Sequence, residues 1–135
     1  MSGYALISEE TPLISNLNIL ENIALIKEIH EHMPTRKAQT LAQEYLNKIG
    51  HEKIGQLRIN SCNNAEIFDV MLVRAMMSKE DTVVILPLSS MDNLKEMQEM
   101  LKHIKELSEE KKIVILDIIE NEVYYKGCGS CNIVK

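Results

Sequence analysis

The chain has 135 residues and a formal net charge of −5, with 45% apolar, 26% charged and only 4% aromatic residues. This composition excludes a disordered or fibrous protein and fits one compact domain. The acidic balance and the scarcity of aromatic side chains argue against nucleic-acid binding, which relies on clustered Lys and Arg and on stacking. No apolar run approaches the roughly 18 residues of a membrane span and no signal peptide is visible, so we expect a soluble cytoplasmic protein.

The first half of the chain predicts one strand followed by two helices. Residues 3–7 are continuously apolar, which is typical of a short buried strand. Asn16 or Asn18 is placed to cap a first helix. A second helix is expected to be capped by Thr35 and to end at Gly50, with apolar residues every three or four positions between them.

The second half alternates helices with apolar strands. Helical patterning resumes near Ala65 and again after residue 92. Continuous β-branched runs predict buried strands at 82–86 and 113–116, and a last strand is expected at 122–126. Strands that alternate with helices predict an α/β fold with a small, mainly parallel sheet of about four strands and flanking helices.

Five segments occur in the order and at the spacing of a known family. They are Gly-Tyr-Ala-Leu-Ile at 3–7, Pro-Leu-Ile-Ser-Asn-Leu-Asn-Ile-Leu-Glu-Asn-Ile at 12–23, the amphipathic stretch at 35–50, Val-Arg-Ala-Met at 73–76 and Pro-Leu-Ser-Ser-Met-Asp at 87–92. Together they resemble the ATPase domain of ABC transporters from just before its Q-loop onward. The resemblance covers nearly the whole chain, and it implies a truncated P-loop NTPase-like fold with the family's helical subdomain at about 16–64. We therefore expect one degenerate ABC-ATPase-like domain at 1–127 and a flexible tail at 128–135.

The positions that bind and hydrolyse nucleotide in this family have changed here. The chain contains no Gly-x-x-x-x-Gly-Lys-Ser/Thr loop, whose backbone N–H groups would hold phosphates. The resemblance places the signature motif on Cys62, Asn63, Asn64, Ala65 and Glu66. It places the Q-loop glutamine on Glu9, or on Ser8 if the loop is shifted, and the two Walker B carboxylates on Ile85 and Leu86. The D-loop falls on Ser90 and Asp92, and the H-loop histidine falls near Ile119. Apolar side chains at 85 and 86 can neither hold Mg²⁺ nor orient a water. The resemblance with these changes implies a relative that is not an enzyme and has no cofactor.

Residues 9–60 are the portion best retained in length and pattern. In the family, the groove between the Q-loop and the helical subdomain receives the coupling helix of the membrane subunit. We therefore expect a regulator or scaffold that binds a transporter membrane subunit or a true ATPase, in the cytoplasm or peripherally at the inner membrane through that partner. A sheet without its Walker A strand would leave an edge or a face to be covered, which favours a homodimer. If a companion chain supplied the Walker A loop, the protein would instead be a residual ATP-binding subunit.

The cysteines and histidines offer a second class of function. Cys128 and Cys131 have the C-x-x-C spacing of a redox pair or of half a zinc site, so a small thiol-based or metal-binding protein is the alternative interpretation. Two free thiols in a tail fit the pattern better, because no further ligands are near in sequence. The four histidines are all expected on the solvated surface: His30, His32, His51 and His103.

Overall fold

The computed structural model describes residues 4–8, 13–86, 94–107, 111–116 and 131–134. The elements in chain order are β1 (Ala5–Ile7), α1 (Ile19–Glu31), α2 (Thr35–Lys48), a 3₁₀ turn (Ile59–Ser61), α3 (Asn64–Met77), β2 (Thr82–Ile85), α4 (Leu94–Leu107), β3 (Lys112–Leu116) and β4 (Cys131–Val134). The strands form one sheet in the order β1-β2-β3-β4, and every neighbouring pair is parallel. The expected α/β class with a small parallel sheet and flanking helices is confirmed.

The fourth strand lies later in the chain than the sequence predicts. Cys131–Val134 pair with β3, Ile115 lying opposite Ile133, so the expectation of a flexible tail over 128–135 is wrong for these four residues. Their sequence carries a polar residue in its centre, Asn132, and the partner strand, not the local pattern, defines them as a strand. The strand expected at 122–126 lies outside the described residues.

The two faces of the sheet differ in how well they are covered. On one face Ala5 is partly buried and five further side chains are at most 2% exposed: Ile7, Val83, Ile85, Ile113 and Ile115. On the other face Leu6, Val84 and Val114 are apolar and half-buried, and Thr82 and the exposed Lys112 lie beside them. Parallel sheets are normally covered on both sides. Among the described residues, Leu6, Val84 and Val114 instead form an apolar patch that is only partly covered.

The three helices between β1 and β2 pack against one another. Helix α1 contacts both α2 and α3, and α3 in turn contacts β1 and α4. Asn18 caps α1, as expected: its side chain accepts a hydrogen bond from Glu21 N at 2.8 Å, and its own N–H donates to the Glu21 carboxylate at 2.8 Å. Thr35 does not cap α2 but is its first residue, and its hydroxyl donates to Glu28 Oε1 at 2.7 Å, tying α2 to α1.

Two close contacts hold loops against the start of α1. Asn22 is buried, and its side-chain oxygen accepts a hydrogen bond from Ile14 N at 2.6 Å while its amide donates to Ile14 O at 3.0 Å, which fixes the loop after β1. On the other side, Leu20 N donates to Gly55 O at 3.0 Å. A Cβ atom on Gly55 would lie 2.9 Å from Leu20 Cγ, so only glycine allows this approach.

Candidate functional sites

The residues at the signature positions form the start of α3. Asn63 is the N-cap, and its side chain accepts a hydrogen bond from Glu66 N at 2.8 Å. Glu66 Oε1 accepts in return from Asn63 N at 2.9 Å, which completes a capping box. Cys62 Sγ lies 3.6 Å from Arg58 O, to which it donates, and Asn64 and Ala65 are the first residues of the helix. The polar side chains of Asn63 and Glu66 are therefore used to begin a helix.

The residues that the resemblance assigns to Walker B are the last residue of β2 and the residue that follows it. Ile85 is 2% exposed and belongs to the main core, and Leu86 is half-buried with its N–H donating to Ile7 O at 2.9 Å. Neither side chain offers an oxygen to a cation. Five of the other predicted positions lie outside the described residues: Glu9, Ser90, Asp92, Ile119 and Cys128. Cys131 lies in β4, and Ser8, the alternative Q-loop position, is buried.

A cleft of about 190 Å³ lies between the loop after β1, helix α1 and helix α3. Its lining is mostly apolar: Ile14, Asn22, Leu25, Ile26, Ile29, His30 and Arg74. Four large apolar side chains are exposed among the described residues, and two of them, Ile14 and Ile29, line this cleft at 45% and 62% exposure. The fixed position of Ile14 comes from the Asn22 hydrogen bonds, so the cleft wall is held in place by the fold.

A second site brings together three side chains from three parts of the chain. His51 Nε2 lies 2.6 Å from Asp69 Oδ2, and His103 Nδ1 lies 2.9 Å from Asp69 Oδ1. The two imidazole rings meet edge to face with their centroids 5.9 Å apart. The side chain of Asp69 is 5% exposed, whereas those of His51 and His103 are 20% and 16% exposed. We call this group the His-Asp-His cluster.

Local structure fixes each member of the His-Asp-His cluster. Helix α2 ends in a Schellman motif: Gly50 has φ +79° and donates to Asn47 O at 3.2 Å, and His51 N donates to Leu46 O at 2.9 Å. This turn directs the chain so that His51 follows immediately. Asp69 lies on α3 between two buried residues, and His103 lies on α4 next to the buried Ile104.

Protonation within the cluster follows from its chemistry. An ionised carboxylate only accepts hydrogen bonds, so His51 donates through Nε2–H and His103 through Nδ1–H. Two charge-assisted hydrogen bonds compensate for burial of the Asp69 carboxylate, which would otherwise be costly. The hydrogen bond to Asp69 raises the pKa of His51 above 6.5, against the opposing effect of burial, and the negative charges of Asp69, Glu66 and Glu52 raise it further.

The cluster corrects one prediction from the sequence. His30 and His32 are exposed, as expected, but His51 and His103 are not solvated surface residues, because both bind a buried carboxylate. Asp69 is 18 positions from His51 and 34 from His103, and no motif spans such spacings. The sequence carried only one weak signal for this cluster. Asp69 is a lone Asp in the apolar stretch of α3, and a carboxylate in a buried helix requires a partner.

Solved structures of other proteins share the architecture of this chain. No family model and no curated protein matches the chain. Among solved structures, 77 chains match. One is MJ0796, a bacterial ABC transporter cassette whose structure is dimeric, with a TM-score of 0.69 over 91% of this chain and 56% of that one at 18% identity. The fold is similar to that of part of an ABC transporter cassette.

This likeness confirms the expected resemblance at the level of the fold. The chain spans a little over half the length of the cassette that it matches. At 18% identity the similarity carries architecture and no activity. Among the described helices, none combines the length and apolar content that crossing a bilayer requires.

Proposed function

We propose that this protein is a non-catalytic relative of the ABC cassettes that acts by binding another protein. The observation that carries the proposal is the apolar end of β2, where Ile85 is 2% exposed within the core. The resemblance puts the Mg²⁺-binding carboxylate at this position, and an isoleucine there cannot supply the oxygen ligands that Mg²⁺ requires. Leu86 likewise has no group to orient an attacking water.

The cleft beside α1 supports the binding half of the proposal. It lies beside the loop that follows β1 and against the helical subdomain, where ABC cassettes receive the coupling helix of the membrane subunit. Its exposed Ile14 and Ile29 provide the apolar area that a docked helix would bury. The chain would then regulate or scaffold a transporter membrane subunit or its ATPase.

A nucleotide titration tests the proposal that the protein is non-catalytic. Purified full-length chain is titrated with a fluorescent ATP analogue and Mg²⁺, and a cassette with an intact Walker A loop serves as positive control. We expect no saturable binding in the micromolar range. Saturable micromolar binding, or ATP hydrolysis by the chain alone, would overturn the proposal.

Substitutions in the cleft test the proposal that the protein binds a partner there. The chain is co-expressed with the transporter membrane subunit and ATPase encoded nearest to its own gene, and complex formation is quantified. We expect Ile29→Asp to weaken the complex at least about tenfold, because burying an isoleucine is worth roughly 1.5–3 kcal/mol and each 1.4 kcal/mol is tenfold. Leu57→Asp is the matched control, since Leu57 is 38% exposed but lies outside the cleft. Equal effects of the two changes, or none from Ile29→Asp, would contradict a docking role for the cleft.

We further propose that the chain forms a homodimer. The half-buried apolar face of Leu6, Val84 and Val114 would gain cover from a second copy. The matching cassette MJ0796 is described as dimeric, which is consistent with association in this fold.

A further inference from the structure

We infer that the His-Asp-His cluster binds a divalent transition metal, with zinc as the best-fitting ion. His51 Nε2, His103 Nδ1 and one carboxylate oxygen of Asp69 would be its three protein ligands, and a water would complete a tetrahedral site. Its ligands lie outside the cleft and are none of the residues that the resemblance assigns to nucleotide binding, so the inference is independent of the proposed function.

The distances between the donor atoms fit one ion. The three ligand atoms all lie within 4.8 Å of one another. Tetrahedral donors about 2.0–2.2 Å from zinc lie about 3.4 Å apart. His51 Nε2 lies 2.6 Å from one Asp69 carboxylate oxygen and His103 Nδ1 lies 2.9 Å from the other, so a ligating oxygen would move about 0.5–0.8 Å away from the ring nitrogen that it now contacts. A shift of this size is within reach of side-chain rotation, because both imidazole rings already face the carboxylate.

Ligand type selects the class of ion. Two imidazoles and one carboxylate suit zinc and other first-row transition metals, whereas Mg²⁺ and Ca²⁺ prefer all-oxygen ligands. The acidic surroundings also favour a cation: the charged side chains that act on His51 are Asp69, Glu66 and Glu52. With both rings neutral, the cluster itself carries one negative charge, which a divalent ion would reverse to one positive charge.

The proton balance of binding is simple. Each imidazole now presents an N–H to Asp69, so a metal requires the lone pair at the same nitrogen. A neutral ring moves its proton to its other nitrogen, His51 to Nδ1 and His103 to Nε2, and a protonated ring releases one proton to solvent. The carboxylate exchanges two N–H donors for one metal ion, and no oxidant or reductant is involved.

The exposure of the two histidines and the positions of the three ligands in the fold both favour metal binding. The Asp69 side chain is almost fully enclosed, whereas 20% of His51 and 16% of His103 remain exposed, which leaves an approach over the ring edges. The ligands come from the turn after α2, from α3 and from α4, so a bound ion would join three elements of the helical side of the protein. Metal binding should therefore raise the thermal unfolding temperature.

The test uses purified full-length chain that has been stripped with a chelator and dialysed. Zn²⁺ is titrated by calorimetry, and Co²⁺ is titrated by visible absorption. We expect one saturable site, a Co²⁺ spectrum typical of nitrogen and oxygen ligands without thiolate charge-transfer bands, and an unfolding temperature that rises with Zn²⁺ concentration.

Substitutions show which residues bind the metal. We expect His103→Gln and Asp69→Asn each to weaken Zn²⁺ binding at least about tenfold, in line with the 10- to 100-fold losses seen even for residues that only support ligands. Circular dichroism checks that each variant is folded. If Asp69→Asn does not fold, His103→Gln alone decides, because it leaves the buried carboxylate and its hydrogen bond to His51 in place. His30→Gln is the matched control, because His30 is an exposed histidine outside the cluster.

Two results would overturn the inference. One is the absence of saturable Zn²⁺ binding by the wild-type chain, which would make the cluster a hydrogen-bonded structural group. The other is binding that survives His103→Gln but is lost in the double variant Cys128→Ser and Cys131→Ser, which would assign the metal to the cysteines.

Discussion

At the scale of single residues, the Asp69 carboxylate is the least ordinary group in the described core. A buried carboxylate is tolerated when hydrogen-bond donors surround it, and two histidines from different elements supply those donors here. Arginine would have carried a fixed charge into this position, whereas histidine carries a charge that depends on pH. The cluster therefore makes part of the stability of the protein depend on pH.

We predict that His51 contributes more to stability at acidic than at alkaline pH. Its folded-state pKa is raised above 6.5, chiefly by the hydrogen bond to Asp69. The contribution is therefore fully present below pH 6.5 and is lost as the pH rises through the higher folded value. Urea unfolding of metal-free protein with chelator present, from pH 5.5 to 8.5, should show the gap between wild type and His51→Gln shrinking as the pH rises.

The groups facing His51 define the controls for this measurement. They are Asp69 and Glu66 on α3, Glu52 in its own loop and His103 on α4. His30→Gln should leave the pH profile of the unfolding free energy close to that of the wild type, because His30 is exposed outside the cluster. A gap between wild type and His51→Gln that stays constant, or widens, across the range would contradict the prediction.

At the scale of secondary-structure elements, two helices begin with the same device. Both α1 and α3 start at an Asn-x-x-Glu capping box, formed by Asn18 with Glu21 and by Asn63 with Glu66. Each box satisfies N–H groups that the first helical turn leaves without a partner, and it places a carboxylate at the positive end of the helix dipole. At the residues where the resemblance would place a phosphate-contacting motif, the side chains of Asn63 and Glu66 hydrogen-bond to each other's backbone N–H groups.

We predict that Asn63→Ala destabilises the protein by about 1 kcal/mol, within the range of roughly 0.5–2 kcal/mol for loss of an N-cap. The free energy of unfolding in urea measures the change. Asn64→Ala is the matched control: Asn64 is exposed and inside the first turn, where alanine is a better helix former. A loss from Asn64→Ala as large as that from Asn63→Ala would show that the capping box is not the source of the effect.

The elements also show what local sequence can and cannot predict. The helix expected to begin near Ala65 is Asn64–Met77, and the strand expected at 82–86 is Thr82–Ile85, because long periodic segments and β-branched runs specify their own structure. The strand Cys131–Val134 was missed because its identity depends on pairing with β3. The His-Asp-His cluster was missed for the same reason at the level of side chains, since only the packing of α3 against α4 and the turn at Gly50 bring its members together.

At the scale of the whole molecule, the sheet determines how the protein meets its surroundings. One of its faces is covered by the main core, whereas the face of Leu6, Val84 and Val114 is only half-buried. A monomer would leave that apolar area in partial contact with water, and association would remove it.

We predict concentration-dependent dimerisation of the full-length chain through this face. Sedimentation velocity across a range of concentrations should show a monomer–dimer equilibrium in the wild type. The double change Val84→Thr and Val114→Thr should shift it towards monomer, because threonine keeps the β-branched shape and adds a hydroxyl to the apolar surface. Leu57→Thr serves as control, since Leu57 is exposed but lies outside the sheet. A strictly monomeric wild type at the highest concentration would refute the prediction.

The pairing of β1 has a consequence for local unfolding. This strand has three residues, and Ala5 pairs with Val83, so its partner strand arrives only after all of α1, α2 and α3. The intervening helices pack against one another without β1, whereas closing the long connection to β1 gains one three-residue ladder and the packing of β1 on α3. Release of β1 would therefore be a low-energy opening that leaves the helices intact. Such an opening would break the Leu86 N–H bond to Ile7 and bring water to Ile85, so the end of β2 should exchange its amide hydrogens faster than the middle of α3.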